Sequence, residues 1–300
     1  MREKRQQLIE ELLKQREYNF KILKQYSLSN LWLFNKFVLN VEEGAERVEL
    51  APFHKELCIF IQDDSKKKKL ILVPRGHLKS TLVTIGYCLQ QIIQNPNIRI
   101  LILSATHNNA VDFISAIKDH LVKNETLIEL FGNIAANPLI WASDRFTLST
   151  ARTTTGDKEP TIQGAGIETN VVSKHFDMII LDDVVVRENT ETLEQRQKVI
   201  KRYRDAIDLL ETNGQFIIIG TRWTFDDVYS WILNPENQQI QQFKTYIRAA
   251  IEWEGPIGLA LKDGSGFKSS LWPAKFTREE LYSRYRSKGP YEFSTQYLNN

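Results

Sequence analysis

Four apolar runs constrain this chain more than any other feature: LILV at 70–73, IRILILSA at 98–105, FDMIILDD at 176–183 and QFIIIGTRW at 215–223. Each is short, almost continuously apolar and bounded by turn residues, which is the pattern of a strand buried on both faces. Helical patterns separate them. TLVTIGYCLQQIIQ (81–94) ends before Asn95-Pro96, HNNAVDFISAIKDHLV occupies 107–122, and a long helix is expected from Glu191 to Leu210. Strands alternating with helices specify an α/β domain, with a mostly parallel sheet covered by helices on both faces. The sequence carries no internal repeat.

The flanks read differently. Leu8, Ile9, Leu12, Leu13, Phe20 and Leu23 recur at helical spacing over residues 1–26, with Arg, Lys, Glu and Gln between them. That predicts an amphipathic helix or helix pair, whose basic face is either solvated or turned to DNA or a partner chain. A second helix is expected from Leu31 to Leu39 behind Ser29 as its cap, with Trp32, Phe34 and Phe37 in the core. Residues 42–50 form a polar connector, FHKELCIFIQ a short helix after Pro52, and Lys66–Lys69 a charge run before the first strand. Residues 145–175, broken by Gly and Thr, read as β-rich. After Tyr229 the pattern changes: Pro, Gly and Lys become frequent over 254–275, and a helix follows from Arg278 to Arg286. This tail is expected to be an appendage and not more of the sheet. The expected division is an N-terminal helical segment (1–45), a core (46–235) and a small lid or linker subdomain (236–300).

Composition narrows the function classes. The formal net charge of +2 neither demands nor excludes a nucleic-acid partner, because a basic patch can sit within a neutral total. Cys58 and Cys88 lie in apolar helical contexts without Cys or His partners at metal spacing, so they read as buried free thiols of a reducing compartment. No apolar run reaches the ~20 residues that span a bilayer. The charged N-terminus lacks a secretory core. An intracellular protein outside the membrane is expected.

The chemistry is concentrated where the strands end. In LILV-PRGHLKST-LVTIGYCLQ a buried strand delivers a tight loop, and the loop opens a helix. Backbone N–H groups at such a helix start point at an anion, and the helix dipole favours negative charge there. The backbone of Pro74, Arg75, Gly76, His77, Leu78 and Thr81 would line the phosphates, Lys79 would reach the β- and γ-phosphates, and the Ser80 hydroxyl would bind Mg²⁺. Arg75 adds a second cation. The usual pattern has glycine directly before the lysine and again five positions earlier; Leu78 and Val73 stand there, and Gly76 alone remains inside the loop. A Cβ at Leu78 restricts any positive-φ conformation. A strand–turn–helix with an exposed lysine would give the same run.

The second signal is MIILDD, a buried strand ending in two carboxylates. Asp182 suits the Mg²⁺ ligand and Asp183 the base that activates water, with Glu188 in reserve; the bland alternative is an Asp pair capping the next helix. The third is IIIGTRW, whose Thr221, Arg222 and Trp223 follow another buried strand and could report the γ-phosphate, or simply form a surface turn. Ligands of open α/β sheets bind at the carboxyl ends of strands, where all three signals fall.

With these segments in order, the chain resembles the large terminase subunit of tailed bacteriophages, in its ATPase portion. PFHKEL (52–57) is similar to that family's adenine-side motif, PRGHLKST to its Arg-containing phosphate loop, HFDMIILDDVVVREN to its acidic strand, IIIGTRWTFDDVY to its coupling motif, and LWPAKFTREEL through FSTQYLNN to the segment after its ATPase core. The resemblance covers roughly 50–300. It implies an ASCE-type P-loop NTPase fold, with ATP and Mg²⁺ as cofactors. It also implies hydrolysis that drives double-stranded DNA into a procapsid. Phe53 and His54 then lie beside the adenine, though many such motors carry Gln where His54 stands. Arg75, Lys79, Ser80, Asp182 and Thr221 match family positions; the catalytic carboxylate is usually Glu, so Asp183 and Glu188 both stay open. The implied partners are DNA, the portal protein and the small terminase subunit. The resemblance further implies a homo-oligomeric ring on assembly, a monomer in isolation, and an Arg from a neighbour to complete the site, with Arg145 and Arg152 as the candidate donors. The implied location is the host cytoplasm, with transient docking on the procapsid. Relatives add a nuclease with clustered Asp residues; the sequence reaches Asn300 without such a cluster, so no nuclease activity is expected of it. The rival readings are a helicase-like or repair ATPase on the same fold, and a non-hydrolysing nucleotide- or DNA-binding adaptor.

Overall fold

The computed structural model describes residues 2–41, 49–149, 159–169, 171 and 174–300. Its strands are β1 (Lys68–Leu72), β2 (Ile100–Ser104), β3 (Ile140–Trp141), β4 (Arg145–Thr147), β5 (Ile162–Gly166), β6 (Phe176–Asp182), β7 (Leu210–Gly220), β8 (Lys244–Ile247), β9 (Ile251–Trp253) and β10 (Phe267–Ser270). The first eight form one sheet in the order β3-β4-β5-β2-β6-β7-β1-β8, and β9 and β10 form a separate antiparallel pair. Pairing is parallel from β5 through β8 and antiparallel at β3 and β4. This is the expected P-loop NTPase architecture, with one strand, β7, inserted between β1 and the acidic strand β6.

The apolar runs are continuous because both sheet faces are covered. Ile71, Ile102, Ile180 and Ile219 enter one core cluster, whereas Leu70, Leu103, Leu181 and Ile218 enter the other. Successive side chains of a strand point to opposite faces, so each neighbour in the run feeds a different layer. Register brings the strand ends into line: Ser104 pairs with Asp182, Asp182 with Ile219, and Leu72 with Gly220. A single carboxyl edge results.

Several expectations need correction. β1 begins at Lys68, inside the charge run, and Lys69 is buried with its ammonium donating to the Ile61 carbonyl. Burial lowers its pKa to about 8. Asn30, not Ser29, caps the second helix by accepting from Leu33 N at 3.1 Å; Ser29 ends the first helix, Arg2–Ser29. Phe20 and Leu23 of that helix pack on the core, while the side chains of Leu8, Ile9, Leu12 and Leu13 lie outside the described residues, as does most of the 42–50 connector. The helix expected from Glu191 runs Leu193–Ile207, held at its start by a reciprocal Thr192–Gln195 capping box.

The tail is not merely an appendage. β8 extends the main sheet beyond β1, so the sheet continues past residue 236. The final helix reaches Phe293, bent at Gly289 (φ 80°) before Pro290. The last turn, Ser294–Leu298, is then fastened to the segment after β8: Ala250 N donates to Tyr297 O at 2.7 Å, and Asn299 Nδ2 to Arg248 O at 2.8 Å. Cys58 and Cys88 are buried free thiols, and burial raises both pKa values, that of Cys58 to about 12. Among the described residues no helix is long and apolar enough to cross a membrane.

Candidate active site

The loop after β1 closes on itself and on the tail. His77 N donates to Pro74 O at 3.3 Å, and Arg75 N donates to Gln296 O at 3.2 Å. Lys275 Nζ donates to Gly76 O at 3.0 Å. Gly76 takes φ 79°, as its permissive backbone allows. Leu78 takes φ 58°, so the residue standing at the glycine position adopts the left-handed conformation despite its Cβ. That conformation costs a non-glycine residue ~1–2 kcal/mol and persists only where the surroundings impose it. Here they do: Leu82 N donates to Leu78 O at 3.0 Å, and the Leu78 side chain packs against the core.

The following helix starts with a wide turn, Thr81–Tyr87, and presents two hydroxyls to the acidic strand. Ser80 Oγ donates to Asp182 Oδ1 at 2.9 Å, and the Thr84 hydroxyl donates to Asp182 Oδ2. Asp182 is fully buried; burial and then the Asp183 charge push its pKa up, with Lys79 and the two hydroxyls opposing. Asp183 leaves the strand at φ 44°, and its carboxylate meets Lys79 Nζ at 3.1 Å. Lys79 is only 6% exposed, so this ion pair is well shielded on the lysine side.

Of these groups Asp183 reaches a cleft of about 190 Å³, lined by Arg75, Asn109, Asp183, Val185, Val186, Thr221, Trp223 and Gln296. Asp183 Oδ1, Thr221 Oγ1 and both amide atoms of Gln296 are buried there without hydrogen-bond partners. Buried polar groups are nearly always paired, so their convergence on one cleft marks a place built for a polar ligand. The volume falls below the roughly 300–1,000 Å³ of pockets that enclose whole ligands. It suits the phosphate end of a nucleotide and not base plus sugar. The Arg75 guanidinium lies 5.9 Å from the Trp223 ring centroid, and Arg187 lies 6.0 Å from the same ring. Among the described residues no group of three or more His, Cys, Asp or Glu could hold a metal ion by itself. Magnesium at nucleotide sites uses one or two carboxylates with phosphate oxygens and water, and the touching Ser80 hydroxyl and Asp182 carboxylate fit that donor set.

The remaining sequence candidates fall elsewhere. Phe53 and His54 do not line the cleft; they are 3% and 0% exposed, packed beneath the loop. His54 lies 3.8 Å from Phe53 and 4.6 Å from Trp272 between ring centroids, and His77 stacks on Phe276 at 4.4 Å. Neither Phe53 nor His54 has surface to offer an adenine. His54 instead caps its own helix, Nδ1 accepting from Ala51 N at 2.9 Å. Pro74 is buried at the base of the loop and Thr81 half-buried at its helical end. Glu188 is exposed on the short turn Arg187–Asn189, away from the cleft wall. Arg222 is half-buried and also off that wall, its charge acting on Asp227. Arg145 pairs with Asp144 at 3.4 Å on β4, and Arg152 lies outside the described residues.

No family model matches the chain, and no curated protein does. Solved structures do match. The HK97 bacteriophage large terminase aligns with 91% of this chain at a TM-score of 0.58 and 14% identity. This chain has the fold of a phage large terminase. It spans about half of the HK97 protein, 54% of that chain. The Thermus phage P74-26 large terminase ATPase domain, in a mutant form, aligns over 80% of this chain and 91% of its own, at 16% identity and TM-score 0.48. The bacteriophage T4 UvsW helicase covers 71% of this chain and 66% of its own, at 13% identity and TM-score 0.34. At these scores only the HK97 match bears on the fold.

Within the large-terminase fold, three cleft or contact residues escape the sequence motifs. Thr84 sits one helical turn beyond Ser80, where it reads as an ordinary helix residue; the i,i+4 spacing of two hydroxyls was the signal. Asn109 comes from the first turn of the helix His107–Lys123, after β2. Gln296 comes from the far end of the sequence and arrives only because the tail docks on the loop.

Proposed function

We propose that this chain is the ATP-hydrolysing motor of viral DNA packaging, moving double-stranded DNA into a procapsid. The observation that carries the reading is the contact set at the carboxyl edge of the sheet: Lys79 on Asp183 at 3.1 Å and Ser80 on Asp182 at 2.9 Å. In this reading the loop backbone from Pro74 to Thr81 binds the phosphates, and Lys79 and Arg75 neutralise them. Ser80 and Asp182 hold Mg²⁺, which when bound supplies charge stabilisation at the phosphate oxygens. Phosphates drawing Lys79 away from Asp183 leave that carboxylate free to take a proton from water at Oδ1. Thr221, with Arg222 and Trp223 behind it, passes the phosphate state to residues 236–300. Phe53 and His54 contribute by supporting the loop from below.

The wider proposal follows the large-terminase fold. The functional units are a helical segment (1–45), a nucleotide core (46–235) and a lid or linker (236–300) whose first strand is shared with the core sheet. The chain assembles as a ring on the portal protein together with a small terminase subunit, in the host cytoplasm and docked on the procapsid. A neighbour's arginine completes each site, so an isolated monomer hydrolyses ATP slowly. DNA contacts are chiefly to phosphates and therefore salt-dependent and sequence-tolerant. The test is phosphate release by the purified chain, with and without DNA and procapsids. Lys79→Ala is expected to reduce turnover by at least ~10²–10³-fold, the scale of losing one preorganised charge contact; near-normal turnover in that variant sinks the assignment. Strand separation without procapsid dependence would move the reading to a helicase.

A further inference from the structure

The last turn of the chain brings a carboxamide to the cleft that no motif predicts. Gln296 lies in the turn Ser294–Leu298 and is 1% exposed, yet neither Nε2 nor Oε1 has a partner. It shares the cleft wall with Arg75, Asp183 and Thr221. Its backbone is pinned on both sides: its carbonyl accepts from Arg75 N at 3.2 Å, and the next residue's carbonyl accepts from Ala250 N at 2.7 Å. A buried amide left unpaired is destabilising, a cost that an apolar residue would avoid. A fixed, unpaired buried donor that shares its cleft with the cationic Arg75 is suited to an anion that arrives and leaves.

Building on the proposed nucleotide site, we infer that Gln296 reads the terminal phosphate of a nucleoside triphosphate, its Nε2 donating to a terminal-phosphate oxygen. The loop backbone serves the phosphates that triphosphate and diphosphate share, and Lys79 spans the inner of these and the terminal one. Gln296 shares its cleft wall with Asp183 and Thr221, the residues that the proposed function sets against the terminal group. Because its carbonyl also holds the Arg75 amide, the presence of that phosphate is registered directly on the C-terminal tail, without a relay through the sheet.

The experiment measures affinities for ADP and for a non-hydrolysable ATP analogue, each with Mg²⁺, in the full chain, in Gln296→Met and in Lys79→Ala. Methionine keeps length and removes the unpaired amide, so Gln296→Met is expected to melt no lower than the parent. Its preference for the triphosphate analogue over ADP should fall about tenfold or more, the scale of one hydrogen bond to a charged group, with ADP affinity held within about twofold. A structural role alone would move both nucleotides together. Parent-like preference in Gln296→Met overturns the inference while leaving the nucleotide site standing. If the parent binds neither nucleotide, or Lys79→Ala binds both as the parent does, the site reading falls and this inference with it.

Discussion

The rim of the cleft and the packed floor beneath the loop both carry unpaired buried polar atoms and do opposite things. On the rim, Asp183, Thr221 and Gln296 leave polar atoms unpaired toward a cavity, and Lys79 is held on Asp183. On the floor, His54 and His77 each leave Nε2 unpaired as well, but among the rings of Phe53, Trp272 and Phe276. Burial lowers the floor histidines to pKa values of about 3 and about 4, so both are neutral imidazoles. An unpaired buried atom therefore signals a ligand only where the cavity and converging charges accompany it. The floor stabilises the loop; the rim is left incomplete.

The largest effects should separate Asp183 on the rim from Glu188 off it. Asp183→Asn keeps the size of the side chain but removes both the Lys79 ion pair and the proton acceptor. Turnover is expected to drop ~10²–10⁴-fold, the usual range for a lost general base. Glu188→Gln, on its exposed turn, should fall far less. Steady-state phosphate release on both variants decides the matter, and a deeper loss from Glu188→Gln would reverse the assignment between the two carboxylates.

The rim was also the most legible part in the sequence, for a physical reason. Strands buried on both faces must be apolar throughout, so the polar residues that end them stand out: Asp182, Asp183 and Thr221 needed no structure to be picked. Positions set by side-chain packing were not legible. PFHKEL matched a motif, yet no spacing rule says whether Phe53 and His54 face a ligand or the Trp272 ring, and they face the ring. KTYI at β8 was missed because an edge strand needs few apolar residues, and its pairing with β1 is long-range. Gln296 was invisible because its neighbours in space, Arg75 and Ala250, are set by tail docking.

The floor yields the intermediate effect, and acid is the lever. The unfolded chain protonates histidine near pH 6.5, whereas folded His54 stays neutral to about pH 3. Below pH 6.5 the unfolded state therefore binds more protons, and stability falls as pH drops. Between pH 6.5 and 5 the loss is about 2 kcal/mol for each such histidine. His54→Phe gives up the Ala51 cap, about 1 kcal/mol at neutral pH. It should nonetheless show a shallower acid slope in denaturant midpoints measured from pH 7 to 5. An unchanged slope would mean that His54 is not buried neutral and the floor is open to solvent.

The smallest effect belongs to Leu78, whose backbone serves the rim and whose side chain packs with the floor. At an ordinary loop position alanine is the more stabilising choice, because glycine loses more chain entropy on folding. At φ 58° the order should invert. Leu78→Ala loses packing and keeps the strain of a Cβ in the left-handed region; Leu78→Gly loses the same packing and sheds the strain. Leu78→Gly is therefore expected to be the more stable of the two by about 1 kcal/mol, the per-residue penalty of that conformation. Paired urea titrations of the two variants measure this directly. If alanine proves the more stable, the loop does not hold Leu78 left-handed in solution, and the phosphate cradle forms only when an anion draws it into shape.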